Sequence, residues 1–381
     1  MTQHYRFHPS PLPREAEDLR PQVRAFLRRE LSNHPRTLAA KSWMGYDPDF
    51  TRKLAAQGWI GMTWPKQYGG GERSSFARYV LVEELLAAGA PVLAHWIADR
   101  QSGPLLLRYG TEEQRQFFLP AICRGEMYFC IGMSEPDSGS DLASIRTRAR
   151  RTDKGWLING SKIWTSNAHR CHFMITLVRT ADSDEKHQGL SQFLIDLKSP
   201  GLTIRPIRDL TGDTSFNQVF FEDVFVPDDR LVGKEGNGWS QVVAELALER
   251  SGPERFLSCM ALLTELIDCL GKRPDRHGAT AIGAITAKLA VYRQMSISLA
   301  AQLNRGENPA SEAAYVKDLG VTLEQDLPEI AHALIECAPL LEGGDYEQLL
   351  AYLTQFAPSF SLRGGTREIL RGMIARGLGV R

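Results

Sequence analysis

The apolar period of this chain changes twice, near residues 126 and 236, and that order constrains its fold more than any other feature. The first third has helical spacing. Arg14–Leu31 places Leu19, Val23, Phe26 and Leu27 on one face. Pro21 reads either as a helix start or as a kink within it. Phe76–Ala88 is dense in apolar helix formers. Thr111-Glu112-Glu113-Gln114 has the form of a capping box ahead of Phe117, Phe118 and Leu119. Trp64-Pro65-Lys66-Gln67-Tyr68-Gly69-Gly70-Gly71 is a loop by its Gly and Pro content.

The middle of the chain is built of short β-rich runs: Ser144–Arg150, Trp156–Ile158, His172–Val178, Gln192–Leu197, Leu202–Ile207 and Gln218–Val226. Turn signals at Asn159-Gly160, Pro200-Gly201 and Thr211-Gly212-Asp213 separate several of them. This spacing predicts a compact β domain and not alternating βαβ units. No G-x-G-x-x-G opens a helix, so a Rossmann nucleotide site is not indicated. From about Gly236 the pattern is helical again, through Trp239–Leu248, Phe256–Leu270, Ala279–Leu303 and Ala310–Cys337. Composition alone would say α+β. The expected division is a helical domain over 1–125, a β domain over 126–232 and a helical domain over 233–381.

Charge narrows the partners. Lys+Arg 45 balances Asp+Glu 45, so no bulk basic field favours nucleic acid or an anionic membrane. The six cysteines show no C-x-x-C spacing and read as reduced thiols of a cytoplasmic protein. No apolar run approaches membrane-spanning length.

Two segments carry the chemistry. Ser134-Glu135-Pro136-Asp137-Ser138-Gly139-Ser140-Asp141 packs hydroxyls, carboxylates and turn residues into one loop. Such a loop offers many donors to a phosphate or a flavin ring edge. Asn159-Gly160-Ser161-Lys162-Ile163-Trp164-Thr165-Ser166-Asn167 follows, an aromatic beside further hydroxyls. Near the C-terminus stands Arg363-Gly364-Gly365-Thr366-Arg367-Glu368-Ile369. Taken singly, the first is an ordinary surface loop. In order, the three resemble motifs of the acyl-CoA dehydrogenase family: T/S-E-P-x-x-G-S-D, G-x-K-x-W-x-T/S and G-T-x-E-I. The resemblance covers about residues 15–381.

That resemblance implies an acyl-CoA dehydrogenase fold: an N-terminal helical domain, a β-barrel-like middle domain and a C-terminal helical bundle. It implies FAD-dependent α,β-dehydrogenation of an acyl-CoA to a 2-enoyl-CoA. A carboxylate takes the α-proton, flavin N5 accepts the β-hydride, and electrons pass to an electron-transfer flavoprotein. Carried over residue by residue, Met133 and Ser134 face the pyrimidine side of the flavin. Ser140 reaches the pyrophosphate or the bound CoA thioester. Trp164 covers the isoalloxazine ring and Ser166 approaches N5. Thr366 and Glu368 contact the adenine half. A core aromatic is the competing reading of Trp164.

The base has two positions in the family. One directly precedes the C-terminal G-T; here it is Gly364, and glycine cannot act as a base. The other lies on a helix one residue before an Arg, which here is Glu249-Arg250. Glu249 is therefore the candidate base. Arg250 either holds Glu249 or lines the CoA side; as a bland alternative it caps the helix C-terminus. Glu254 is the competing carboxylate, though its place near Gly252-Pro253 reads as a solvated or paired charge. Glu249 itself could be no more than a helix ion-pair partner.

One departure bears on assembly. Homotetrameric members carry R-x-x-F-G, whose Arg contacts a neighbouring subunit's FAD pyrophosphate. The corresponding run is Cys269-Leu270-Gly271-Lys272-Arg273-Pro274-Asp275-Arg276-His277-Gly278. Leu341-Glu342-Gly343-Gly344-Asp345-Tyr346 is at best a remnant of the later Q-x-x-G-G-x-G. The chain thus resembles the base-bearing member of an α2β2 pair, with a homo-oligomer as the second reading. A non-catalytic partner subunit and a flavin oxidase or monooxygenase on the same fold complete the alternatives.

Overall fold

The structure is a computed structural model that describes residues 5–250, 252–335 and 343–380, including side chains except those of 246–249. Two compact units form, one from 1–46, 73–92 and 247–381, the other from 47–72 and 93–246. The architecture is α+β, with helical N- and C-terminal regions and a curled sheet in the middle.

The first unit is helical. Arg14–Glu17 and Arg20–Glu30 are separate helices, and Pro21 lies in the first turn of the second, where its missing N–H costs nothing. The helix Ser75–Ala87 brings buried Glu83 and Glu84 among three arginines. Arg20 pairs with both; Arg24 Nε donates to Glu84 at 2.7 Å and Arg293 Nε to Glu83 at 2.6 Å. Buried carboxylates persist because each is matched by a guanidinium. Long helices Arg276–Asn304 and Ala310–Leu334 follow, the first capped by Asp275 accepting from Gly278 N at 2.7 Å. The expected run from Phe256 starts as a helix only at Met260, because Pro253–Arg255 forms a 3-10 turn first. Cys337 and residues 341–342 lie outside the described residues.

In the second unit, Thr111 accepts from Gln114 N while the Gln114 side chain accepts from Thr111 N, the expected capping box of Glu112–Cys123. Seven strands form the sheet: β1 Phe129–Gly132, β2 Arg148–Thr152, β3 Gly155–Ser166, β4 Phe173–Arg179, β5 Leu190–Asp196, β6 Leu202–Ile207 and β7 Phe216–Pro227. Their order is β1-β4-β2-β3-β7-β6, with β5 on β4. The β1–β4 pair is parallel and β2 meets β4 in parallel only at Arg148–Arg179; the remaining pairs are antiparallel. The core beneath holds Trp156, Phe193, Ile195, Val219 and Phe221.

Two expectations about this sheet are corrected. Asn159-Gly160 is not a hairpin turn; it lies inside β3, at a register shift against β7. Asn159 Nδ2 donates to Asp223 Oδ1 at 2.8 Å and its Oδ1 accepts from Asp223 N at 3.0 Å, so the side chain bridges strands where a turn would form. Gly160 has φ 138°, and a Cβ there would stand 2.8 Å from Thr147 Cα. The second correction concerns Ser144–Arg150, which becomes a strand only at Arg148. The N–H groups of Arg146 and Thr147 are taken by the Glu135 carboxylate, not by a ladder. Among the described residues no helix is long and apolar enough to cross a membrane.

Candidate active site

The loop after β1 is tied down before it reaches solvent. Glu135 and Ser138 exchange backbone hydrogen bonds at 2.9 and 3.0 Å, closing a tight turn. The Glu135 carboxylate is buried and accepts from Arg146 N at 2.6 Å and Thr147 N at 2.9 Å. Lys162, on β3, is 0% exposed. Its ammonium donates to Glu135 Oε1 at 2.8 Å and to the Met133 carbonyl at 2.9 Å. Ile163 N adds a bond to the Ser134 carbonyl at 2.9 Å. Burial lowers the Lys162 pKa to about 8 against the pull of Glu135. Glu135 is itself held below its ordinary range: Lys162 and the hydrogen bonds outweigh burial, which acts in the opposite direction.

This framework leaves Met133 and Ser134 partly exposed at the strand end and Ser140 exposed further along the loop. Trp164 stands beyond Lys162 on the same strand. It has φ 61°, a left-handed conformation costly for a bulky residue, at a register shift between Lys162 and Thr165. It is 57% exposed and meets Phe216 edge-on at 6.1 Å between centroids. Trp164 is therefore not a core aromatic. Ser166 is half-buried, and buried Thr165 and Asn167 flank it. Thr165 Oγ1 and Asn167 Nδ2 are buried polar atoms with no protein hydrogen bond. Exposed aromatic face, nearby hydroxyls and unspent polar atoms are a donor set that fits a planar, hydrogen-bonding ring such as flavin.

Also in this unit, His95 Nδ1 lies 3.0 Å from Thr51 Oγ1, and burial lowers its pKa to about 4, so the imidazole is neutral at pH 7. Arg100 lies in a π-helical stretch, Ala98–Ser102, over the Trp96 ring at 4.7 Å.

The other unit holds the carboxylates. Glu249 ends the helix Gly238–Glu249, and its side chain lies outside the described residues. Arg250 is 4% exposed; its Nε donates to the Gly364 carbonyl at 2.8 Å and its Nη1 to Met373 Sδ at 3.3 Å. Lys317 donates to the Arg363 carbonyl and, at 2.5 Å, to that of Gly365. Two buried cations thus grip the turn at 363–365, where Gly364 and Gly365 both have positive φ. Glu254 is 1% exposed in the 3-10 turn, so of the expected solvated or paired charge the solvated alternative is corrected: the Gly252-Pro253 turn is buried. Glu324 accepts from Ser258 N at 2.7 Å, and burial raises its pKa. Thr366 caps the last helix, accepting from Ile369 N, and Glu368 stands exposed in its first turn.

Lys162, Glu135, Lys317 and Glu324 are not among the site residues expected from the sequence. The first two sit inside the quoted motifs; a Lys spaced two before the Trp was the available signal.

Comparison with known proteins now decides the family. The N-terminal domain of acyl-CoA dehydrogenases matches residues 13–126 and their middle domain matches residues 130–224. Acyl-CoA dehydrogenase IpdE1 of Mycobacterium tuberculosis is 31% identical over 372 residues, covering 95% of this chain and 96% of the relative. The chain belongs to the acyl-CoA dehydrogenase family. Acyl-CoA dehydrogenases are FAD flavoproteins, and the donor set described above is consistent with that cofactor. Acyl-CoA dehydrogenase FadE34 of the same organism is 35% identical over 352 residues and 90% of this chain. The match spans only 48% of FadE34, about half its length. Among solved structures, the Tcur3481-Tcur3483 steroid acyl-CoA dehydrogenase superposes with a TM-score of 0.86 at 28% identity, over 97% of this chain and 98% of that one.

Proposed function

We propose that this chain converts an acyl-CoA thioester to its 2-enoyl-CoA, with Glu249 taking the α-proton. FAD, when bound, supplies the acceptor for the β-hydride. Met133, Ser134, Trp164 and Ser166 are assigned to its ring, Ser140 to the pyrophosphate or thioester region, and Thr366 and Glu368 to the adenine half. Arg250 is assigned to the substrate side or to holding Glu249. The observation that carries the reading is Trp164: a bulky residue kept exposed in a left-handed conformation on the strand that Ile163 N ties to the Ser134 carbonyl, in a chain of this family. The helix position of the base is supported by Gly364, which fills the alternative position without a side chain and gives its carbonyl to Arg250.

The proposed substrate is a bulky, steroid-type acyl-CoA, and the proposed electron acceptor is an electron-transfer flavoprotein. The relation to the Tcur3481-Tcur3483 steroid enzyme supports the first. Its name joins two gene products, which supports assembly with a second acyl-CoA dehydrogenase-like chain, as does the absence of R-x-x-F-G here. The Lys272–Arg276 run at that place is mostly exposed. A homodimer or homotetramer is the competing assembly. The three-domain division at 125 and 232 is retained as part of the proposal; the family matches at 13–126 and 130–224 support its first boundary. A cytoplasmic location accords with the free thiols Cys123, Cys130, Cys171, Cys259 and Cys269.

Anaerobic addition of a steroid side-chain CoA ester to the purified flavoprotein is expected to bleach the visible flavin absorbance and yield the enoyl thioester. Absence of bleaching with every acyl-CoA tried would make the chain a non-catalytic partner. Stoichiometric oxygen uptake would make it an oxidase or monooxygenase.

Assembly has its own expected result. Expressed alone, the chain should carry little FAD, because a pyrophosphate needs a compensating charge and the R-x-x-F-G motif is absent, the basic Lys272–Arg276 run in its place being read as a solvated loop. Co-expressed with its neighbouring gene product, it should hold about one FAD per pair of unlike chains. A homotetramer with full flavin and full activity from this chain alone would overturn the paired assembly.

A further inference from the structure

Lys162 has no role in the dehydrogenation as proposed, yet it is one of the most deeply buried charges in its unit. Its aliphatic stem crosses over Gly132, where a Cβ would stand 3.3 Å from Lys162 Cγ and 2.8 Å from Met174 Sδ. A side chain at position 132 would press on the Lys162 stem and would have to displace Met174. At the end of that path the ammonium meets two acceptors from one short stretch, the Met133 carbonyl at 2.9 Å and Glu135 Oε1 at 2.8 Å.

Three segments meet at this contact. The 133–135 stretch is bound to β3 through Lys162 and through Ile163 N to the Ser134 carbonyl. Glu135 extends the tie to 146–147 through two backbone N–H groups. Thr147 Oγ1 closes the loop back to β3 at the Ser161 carbonyl, 3.2 Å away. Trp164, two residues past Lys162, is where β3 leaves its register with β7. The residues assigned to the flavin ring therefore come from two segments, and the ammonium makes two direct bonds between them beside the one from Ile163 N.

We propose that Lys162 is a positioning residue for the flavin, a buried ammonium that holds Met133 and Ser134 at a set distance from Trp164 and Ser166. This rests on the proposed function above. A bond of this kind suits the task because its acceptors are a main-chain carbonyl and an immobilised carboxylate, neither of which can follow the lysine if it moves. Glu135 acts through the same contact: its two backbone donors fix the carboxylate, and the carboxylate fixes the ammonium.

The competing view is that the pair only fills the interior. Buried ion pairs can often be replaced by apolar side chains of similar volume without loss of stability. That difference sets the test. FAD dissociation constants and visible circular dichroism of the bound flavin are measured for the wild type, Lys162→Met, the double variant Glu135→Met/Lys162→Met, and Glu135→Gln, each purified in its native assembly. Lys162→Met is expected to bind FAD about tenfold more weakly, with an altered dichroism, as loss of a hydrogen bond from a charged donor implies. The double variant removes the stranded carboxylate but takes the acceptor from the Arg146 and Thr147 N–H groups, so it should recover neither flavin affinity nor spectrum. Glu135→Gln keeps an acceptor oxygen for Lys162 and should bind FAD nearly as the wild type does. Wild-type affinity and spectrum in either Met variant would overturn the proposal, as would a loss in Glu135→Gln equal to that in Lys162→Met. A wild type that binds no FAD in any assembly would instead remove the functional reading on which the proposal rests.

Discussion

Replacing Glu249 with Gln is expected to slow dehydrogenation by about 10²–10⁴-fold, the usual contribution of a positioned general base. That range corresponds to about 3–5 kcal/mol of lost transition-state stabilisation. Gln keeps the volume and hydrogen-bonding outline of Glu but has no basic oxygen near neutral pH. FAD content and acyl-CoA affinity should stay close to wild type, so the loss should fall on kcat and not on KM. Single-turnover bleaching with the natural assembly is the direct measurement, since it separates proton abstraction from product release. Glu254→Gln is the informative companion. Glu254 is buried in the Pro253–Arg255 turn, so its substitution should cost stability and leave turnover within a few-fold of wild type. Near-normal turnover in Glu249→Gln, with collapse in Glu254→Gln, would transfer the base to the second carboxylate. The structure gives the Glu249 assignment one further physical support. Gly364, at the alternative base position, has φ 65°, and Arg250 holds its carbonyl. A side chain there would be strained before it reached any substrate.

The element types were legible because their signals are local. Thr111 and Gln114 can cap each other whatever surrounds them, and the β6 boundaries at Leu202 and Ile207 follow from strand propensity between two turn signals. The failures came where a distant group claims a local one. Asn159-Gly160 has the composition of a hairpin turn, yet Asp223, on β7, takes the Asn side chain and Thr147 needs the space a Cβ would fill. Arg146 and Thr147 look like strand residues, but the Glu135 carboxylate takes their N–H groups. Glu254 reads as a solvated or paired charge because Gly252-Pro253 marks a turn, and turns usually face water; this one is buried, which removes the solvated alternative. At the candidate site, the resemblance supplied residue identities but not their supports. Lys162 and Lys317 are both fully buried cations whose acceptors are mainly backbone carbonyls, which no side-chain pattern announces.

Replacing Gly320 with Ala sets two effects of opposite sign against each other. Gly320 lies inside the long helix Ala310–Leu334, where Ala would ordinarily be preferred by about 1 kcal/mol. Against this, a Cβ at 320 would overlap the carbonyl of Arg255 and press on Phe256 Cβ at 3.2 Å. The obstacle is backbone and cannot rotate away. Nor can the turn that carries it retreat freely: Ser258 N donates to Glu324 at 2.7 Å, and Arg363 Nη2 donates to Ser258 Oγ at 3.2 Å. Overpacking a held interior costs about 1–3 kcal/mol, and more where backbone must shift. The expected result is therefore net destabilisation, read as a lower urea midpoint with an unchanged slope. The same displacement should reach function, because the turn bears Glu254 and Arg255 and lies a few residues beyond Glu249. Turnover should fall while the flavin spectrum stays as in the wild type, since the residues proposed for the flavin ring belong to the other unit. A midpoint equal to or above wild type would mean that helix preference wins and that the 253–258 turn yields to the added methyl group.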